Sequence, residues 1–223
     1  MACGVVLPLA YALYGDPAFF VSRVAPWLDV RSPAALDLYS QYYRFAVVFL
    51  LFFVIPLCVA RLLGMSPGDI GLRAGDARWS FRVLVPVLAA CVPLLYLSAA
   101  DPSFQAEYPM ARSAAASTWS FVVYEASYLL YYVGWEVFFR GFLLFGLERG
   151  LGRFGSNLFQ TVPSALLHMV KPAGEAWASV VAGPLFGAAA FKAGSVLYVL
   201  GFHYAVGVLN DVFCALRAGL FGG

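Results

Sequence analysis

The sequence predicts an all-α, polytopic integral membrane protein, a helical bundle of about seven transmembrane helices within a range of six to eight. Of its 223 residues, 62% are hydrophobic and 12% are charged, and the mean hydropathy is +0.81. An average soluble domain is about 45–50% apolar and about 25% charged. The chain therefore has too little polar surface for a water-soluble globule, and a lipid bilayer is its expected surroundings.

Apolar runs of helical length follow one another along the chain, and about 20 such residues cross about 30 Å of hydrocarbon. We expect helices at 5–14, 42–63, 81–100, 118–147, 157–170, 176–191 and 196–216. Glycine and proline clusters separate several of them, as at 66–68, 101–102, 150–155 and 171–174. Segment 16–37 mixes aromatic residues with arginines and is predicted to be an interfacial amphipathic helix. No repeat or linker is visible, so one membrane domain over 1–223 is expected.

Several classes of protein and site are disfavoured. The net charge is only +2 and no basic run occurs, so nucleic acid is not an expected partner. The four cysteines stand alone in apolar stretches and are interpreted as packing residues. No Gly-x-Ser-x-Gly motif is present, and no cysteine has an evident base nearby, which argues against a serine or cysteine nucleophile. The oligomeric state stays open.

Five ionisable residues fall inside predicted membrane helices: Glu125, Glu136, Arg140, His168 and His203. A charge at the centre of a bilayer costs at least about 2.5–3.5 kcal/mol on insertion scales, so such residues mark candidate functional sites. Counted from helix ends on the same side of the membrane, Glu136 and His168 lie about 16 Å deep and His203 about 10 Å deep. The three side chains are therefore predicted to converge on one intramembrane site.

Glu136 and Arg140 are four residues apart, so they lie on one helical face and can form an ion pair. The same face continues back through Tyr132 and Tyr128 to Glu125. This polar stripe must face the protein interior or a wet cavity. A purely structural salt bridge, with each histidine satisfied in the core, remains the alternative to a reactive site.

A carboxylate and an imidazole that share one water form a general-base arrangement for attack on a carbonyl. Arg140 would hold Glu136 in its ionised form, and a second imidazole could stabilise the oxyanion. No cofactor is expected. Zinc bound by Glu136, His168 and His203 is the alternative, since two histidines and one glutamate match a catalytic zinc set, although His-Glu-x-x-His is absent.

The segment 135–144 reads Trp-Glu-Val-Phe-Phe-Arg-Gly-Phe-Leu-Leu. It resembles the first motif, Glu-Glu-x-x-x-Arg, of the CAAX-protease and bacteriocin-processing family, also called the CPBP or ABI family. His168 and His203 resemble the histidines of its second and third motifs in order and spacing. The resemblance covers about 118–216, which would be the catalytic core helices.

The resemblance implies a glutamate-type intramembrane endopeptidase in a bacterial cytoplasmic membrane, acting on a membrane protein or peptide. Eukaryotic members of the family remove C-terminal tripeptides from prenylated proteins, and some bacterial relatives process C-terminal sorting tails. Arg140 would orient Glu136 through its charge. By the same resemblance, Glu136 and His168 would activate water. His203 and a nearby asparagine would bind the oxyanion.

The chain departs from the family pattern at three places. Trp135 replaces the first glutamate, Ser164 replaces a phenylalanine four residues before His168, and Gly207 replaces an asparagine four residues after His203. Secondary candidates for the missing groups are Asn210, Asp211 and Glu125. These departures keep a second hypothesis open, a non-catalytic membrane scaffold of the same fold. A small proton-coupled transporter is the third.

Overall fold

The computed structural model describes residues 2–221, so residues 1, 222 and 223 of the predicted 1–223 domain lie outside it. The described residues are helices joined by short loops, without a strand among them. Within residues 2–221, five stretches are long and apolar enough to cross a membrane: Pro33–Leu62, Ala77–Ser98, Thr118–Leu167, Ala173–Ala193 and Leu197–Arg217. A sixth would combine Cys3–Tyr14 and Pro17–Val24, which meet at 50°. The predicted all-α membrane architecture is confirmed.

We number the main helices along the chain. They are α1 (Cys3–Tyr14), α2 (Pro17–Val24), α3 (Pro33–Leu62), α4 (Ala77–Ser98), α5 (Pro102–Glu107), α6 (Thr118–Glu136), α7 (Leu144–Leu167), α8 (Ala173–Ala193) and α9 (Leu197–Arg217). A π-helical segment, Val137–Leu143, joins α6 directly to α7. Short 3₁₀ turns occur at Pro67–Ile70 and Arg112–Ala116.

The beginning of α3 differs from the prediction. The sequence predicts an interfacial helix over 16–37 and a spanning helix from residue 42, whereas α2 ends at Val24 and α3 already begins at Pro33. Ser32 caps α3 by accepting a hydrogen bond from the Ala35 amide, and proline at the first helical position has the required φ. A local start signal therefore outweighs the polar composition of the first turns.

One continuous helical stretch, Thr118–Leu167, stands where two helices were predicted, at 118–147 and 157–170. Gly152 interrupts it with φ 68° and ψ 170°. The rings of Trp135 and His168 are 5.2 Å apart, whereas a straight helix would separate these residues by about 50 Å. The stretch is therefore a hairpin that folds back at Gly152. Because this hairpin counts once among the five or six stretches of residues 2–221, its two arms bring the number of helices to six or seven, within the predicted range.

Close packing of the hairpin against α3 places the candidate site residues. Phe52 of α3 stacks on Phe138 with ring centroids 4.7 Å apart. A Cβ at Gly134 would lie only 2.7 Å from the Val48 carbonyl oxygen. Glycine at 134 thus lets α6 and α3 approach closely, just before the helix reaches Glu136.

Candidate active site

Glu136 ends α6 and is 0% exposed. Its Oε1 atom accepts hydrogen bonds from Arg140 Nη1 at 3.1 Å and from His203 Nδ1 at 2.7 Å. The first is the predicted ion pair four residues along the chain, and the second joins the hairpin to α9. A buried carboxylate is tolerable when cations and hydrogen bonds compensate it.

The partner of His203 fixes its tautomer. An ionised carboxylate has no hydrogen to donate, so the hydrogen between His203 Nδ1 and Glu136 Oε1 belongs to the imidazole. A neutral imidazole with hydrogen on Nδ1 carries a lone pair on Nε2. In its neutral form, His203 therefore offers an acceptor, rather than a donor, at its other nitrogen.

His168 is held in the same tautomer by a different partner. It was predicted inside the helix 157–170 but lies directly after Leu167, where α7 ends. Its backbone amide bonds to the Ala165 carbonyl at 3.0 Å, and its Nδ1 atom is 2.7 Å from the Ser164 carbonyl oxygen. Because a carbonyl only accepts, Nδ1 donates and Nε2 of the neutral ring is an acceptor.

A cavity of about 470 Å³ brings the two histidines together. His168, His203, Arg140 and Tyr132 are among its lining residues, with side chains from α4 and α8. Glu136 does not belong to the lining within residues 2–221, so it meets the cavity only through its neighbours. The predicted convergence of Glu136, His168 and His203 is thus observed, with Glu136 behind the two imidazoles.

Trp135 occupies the place of the first family glutamate as a buried aromatic wall. Its ring stacks on Tyr131 at 5.5 Å and 14°, and it meets the His168 ring edge-on at 5.2 Å. No second carboxylate is therefore present at this place, and the tryptophan orients His168 by packing.

The secondary candidates separate into two groups. Asn210 lines the cavity. Glu125 and Asp211 are buried outside the cavity lining described for residues 2–221, and their two carboxyl groups lie against each other. Glu125 precedes Glu136 by eleven residues, which is about 16 Å along the helix axis.

Two cavity residues were missed by sequence reasoning. The Tyr108 hydroxyl donates to Glu175 Oε2 at 2.7 Å, and both residues line the cavity. Burial, followed by the charge of Glu175, raises the pKa of Tyr108 well above its ordinary value, so the phenol stays a donor. Glu175 was missed because α8 was predicted to begin at Ala176. Tyr108 lies in a loop, where no periodicity marks it.

The zinc alternative finds no matching ligand set. Within residues 2–221 no group of three or more His, Cys, Asp or Glu side chains is arranged to hold a metal ion. Glu136 and His203, two of the three suggested ligands, are hydrogen-bonded to each other. The side chains as placed do not fit a three-ligand zinc site, and no reaction step is derived through one.

Residues 117–209 match a family model described as type II CAAX prenyl endopeptidase Rce1-like. The matched segment begins at Ser117, the N-cap of α6, and contains all four of the residues Glu136, Arg140, His168 and His203. No curated protein and no solved structure matches the chain.

Proposed function

Since the match over residues 117–209 confirms the resemblance to the CAAX-protease family, we propose that the protein is an intramembrane endopeptidase. Its substrates would be membrane-anchored proteins or peptides, cut near a C-terminal tail. The observation that carries this proposal is the hydrogen bond from His203 Nδ1 to Glu136 Oε1, beside a cavity that His203 and His168 both line. A bacterial cytoplasmic membrane is the proposed location.

We propose that Glu136 and His203 act as one unit in water activation. Nδ1 of His203 donates to the carboxylate, so Nε2 can take a proton from water as the water oxygen attacks the scissile carbonyl carbon. When the carbon–nitrogen bond breaks, the imidazolium returns this proton to the leaving nitrogen. This role uses the lone pair that a neutral imidazole carries on its free nitrogen, whereas oxyanion binding would need a hydrogen there.

His168 and Arg140 support this unit in different ways. His168 offers a second Nε2 acceptor to the cavity. The attacking water would donate one hydrogen to His203 Nε2 and the other to His168 Nε2. Arg140 compensates the charge of Glu136 in the ground state. Once His203 is protonated, the carboxylate stabilises the imidazolium, so the buried site never holds an uncompensated charge.

The cavity wall suits an apolar substrate segment. Leu94 and Leu95 of α4 and Phe186 of α8 line it beside the polar groups. An extended membrane-anchored tail could place apolar side chains or a lipid group against this wall while its peptide bond lies at the histidines. Both prenylated tails and sorting tails have this chemistry.

The test compares wild type with Glu136→Gln in cells that naturally carry the protein, by mass spectrometry of membrane-protein C-termini. The variant is expected to accumulate uncut tails, because His203 loses the carboxylate that stabilises its protonated form, and loss of general-base catalysis lowers rates by about 10²- to 10⁴-fold. Glu125→Gln is the matched control: it is the same change on the same helix, at a buried carboxylate outside the cavity lining.

Identical C-terminal profiles for wild type and Glu136→Gln, at equal protein levels, would overturn the peptidase proposal and favour the scaffold. A loss of processing in Glu125→Gln as large as in Glu136→Gln would also contradict it, since the effect would then follow from burial rather than from the cavity. The chemical nature of the accumulated tails identifies the substrate class.

A further inference from the structure

The missing asparagine of the third motif coincides with a tyrosine side chain. A Cβ atom at Gly207 would overlap the hydroxyl of Tyr132 and would lie 2.6 Å from its ring carbon Cζ. An asparagine side chain at position 207 would therefore start in the space that this phenol occupies. The absence of a side chain at Gly207 of α9 leaves the space that the Tyr132 ring of α6 fills.

Tyr132 is placed to act on a substrate in the cavity. It lies one turn before Glu136 on the same face of α6, and it lines the cavity with His168 and His203. Its ring meets the His203 ring edge-on, with centroids 4.9 Å apart and an interplanar angle of 79°. The phenol therefore stands beside the imidazole to which we assign the proton transfer.

Peptide hydrolysis requires a hydrogen-bond donor for the oxygen that becomes negative in the tetrahedral intermediate. The Nδ1–H group of His203 donates to Glu136, and that of His168 donates to the Ser164 carbonyl. In the neutral rings, the remaining nitrogens are acceptors. A phenol is a neutral donor at ordinary pH. Arg140 and Asn210 also bring donors to the cavity, but the Tyr132 hydroxyl is the donor that occupies the place of the family asparagine.

We infer that the Tyr132 hydroxyl donates the hydrogen bond that stabilises the oxyanion, in place of the family asparagine. This role rests on the proposed peptidase function and extends it. The hydroxyl forms its bond as the carbonyl oxygen gains charge, while His203 Nε2 removes the proton from water. Arg140 also lines the cavity, and it is unchanged in a Tyr132→Phe variant, so that variant isolates the contribution of the hydroxyl.

The test uses the full-length protein in phospholipid vesicles, with a synthetic peptide of a tail whose cutting in cells depends on Glu136. Tyr132→Phe keeps the ring against His203 and is expected to lower kcat on the order of 10²-fold, with little change in KM, as for loss of one oxyanion donor. Tyr124→Phe is the matched control, two turns earlier on α6 and also buried, but outside the cavity lining. Its kcat should equal that of wild type.

Wild-type kcat in Tyr132→Phe, together with inactivity of Glu136→Gln, would overturn the oxyanion assignment and leave the peptidase proposal standing. If no tail depends on Glu136, the peptidase proposal itself fails and the role of Tyr132 fails with it. The two failures are therefore distinguishable.

A reciprocal exchange keeps the inference testable if Tyr132→Phe is poorly folded. Gly207→Asn alone should lose activity, because its side chain meets the phenol ring. The double variant Tyr132→Leu/Gly207→Asn removes the ring and returns the family residue, so it should cleave faster than Tyr132→Leu alone. No recovery in the double variant, or full activity in Gly207→Asn, would contradict the inference.

Discussion

Two glutamates on α6 share a helix and a buried environment, yet their surroundings differ. Glu136 is 0% exposed and Glu125 is 6% exposed. Glu136 receives hydrogen bonds from Arg140 and His203, whereas the carboxylate of Glu125 has no such partner in the part of the chain that the structure describes. Near Glu125 it is the backbone carbonyl that accepts a bond, from the Tyr204 hydroxyl.

The difference shows that burial of a carboxylate does not by itself make a reactive site. An uncompensated charge in an apolar interior is so costly that the group is carried neutral instead. Glu136 has a cation and an imidazole that make its charged form tolerable and useful. We therefore place the chemistry at Glu136 and treat Glu125 as its internal reference.

Removing the cation tests this comparison with the largest expected effect. Arg140→Met should lower the free energy of unfolding by about 3–5 kcal/mol, because it leaves the buried charge of Glu136 unpaired. The same substitution in the exposed Arg153–Glu148 pair, where the side chains are 70% and 33% exposed, should cost less than about 1 kcal/mol. Denaturation in mixed detergent micelles measures both, and equal costs would show that the Glu136 pair is not tightly enclosed.

The hairpin gives a second, smaller test, because it brings His168 to the site. Gly152→Ala should cost about 1–3 kcal/mol, since φ 68° with ψ 170° is a region that only glycine adopts readily. Nothing lies within 4 Å of a Cβ at Gly152 or at Gly150, and Gly150 has no positive φ. Gly150→Ala is therefore the control and should be neutral or stabilising by up to about 1 kcal/mol.

Processing of Glu136-dependent tails, measured on the same two variants, should fall with Gly152→Ala and stay unchanged with Gly150→Ala. Equal stability and equal processing in the two would show that the reversal at Gly152 does not position His168.

The smallest expected effect is that of Glu125→Gln on stability. The amide conserves the size of the side chain and can still donate to the neighbouring Asp211 carboxyl group, so the free energy of unfolding should change by less than about 1 kcal/mol. The same micelle denaturation measures it beside Glu136→Gln, which removes the charge opposite Arg140 and should cost more. A larger loss in Glu125→Gln would mean that Glu125 has an ionic partner, and the contrast between the two glutamates would disappear.

Local spacing explains what the sequence could predict. The pairing of Glu136 with Arg140 follows from a separation of four residues, and the apolar runs predicted the helical membrane fold. Depth along the helices predicted that His168 and His203 could reach Glu136. Rotation about each helix axis is not encoded in this way, so the bond between His203 and Glu136 became visible only in the packed bundle.

Other features depend on how distant segments pack. The glycines at 150–155 predicted a turn, but a single residue, Gly152, makes the reversal and leaves helix on both sides. In the sequence, Gly207 is visible only as a missing asparagine. The close approach of Gly207 to Tyr132 depends on the distance between α6 and α9. The residue patterns within these two helices do not contain that distance.

The position of His168 at the end of α7 has an evolutionary consequence. Its amide bonds to Ala165 rather than Ser164, so the imidazole contacts the Ser164 carbonyl to which a continuing helix would direct that amide. An unsatisfied carbonyl in a nonpolar interior costs about 1–3 kcal/mol. Selection for stability alone would therefore keep histidine here, and a descendant that had lost hydrolysis would still carry it. In such lineages, we expect the first substitutions that accompany loss of activity to fall at Tyr132 or His203.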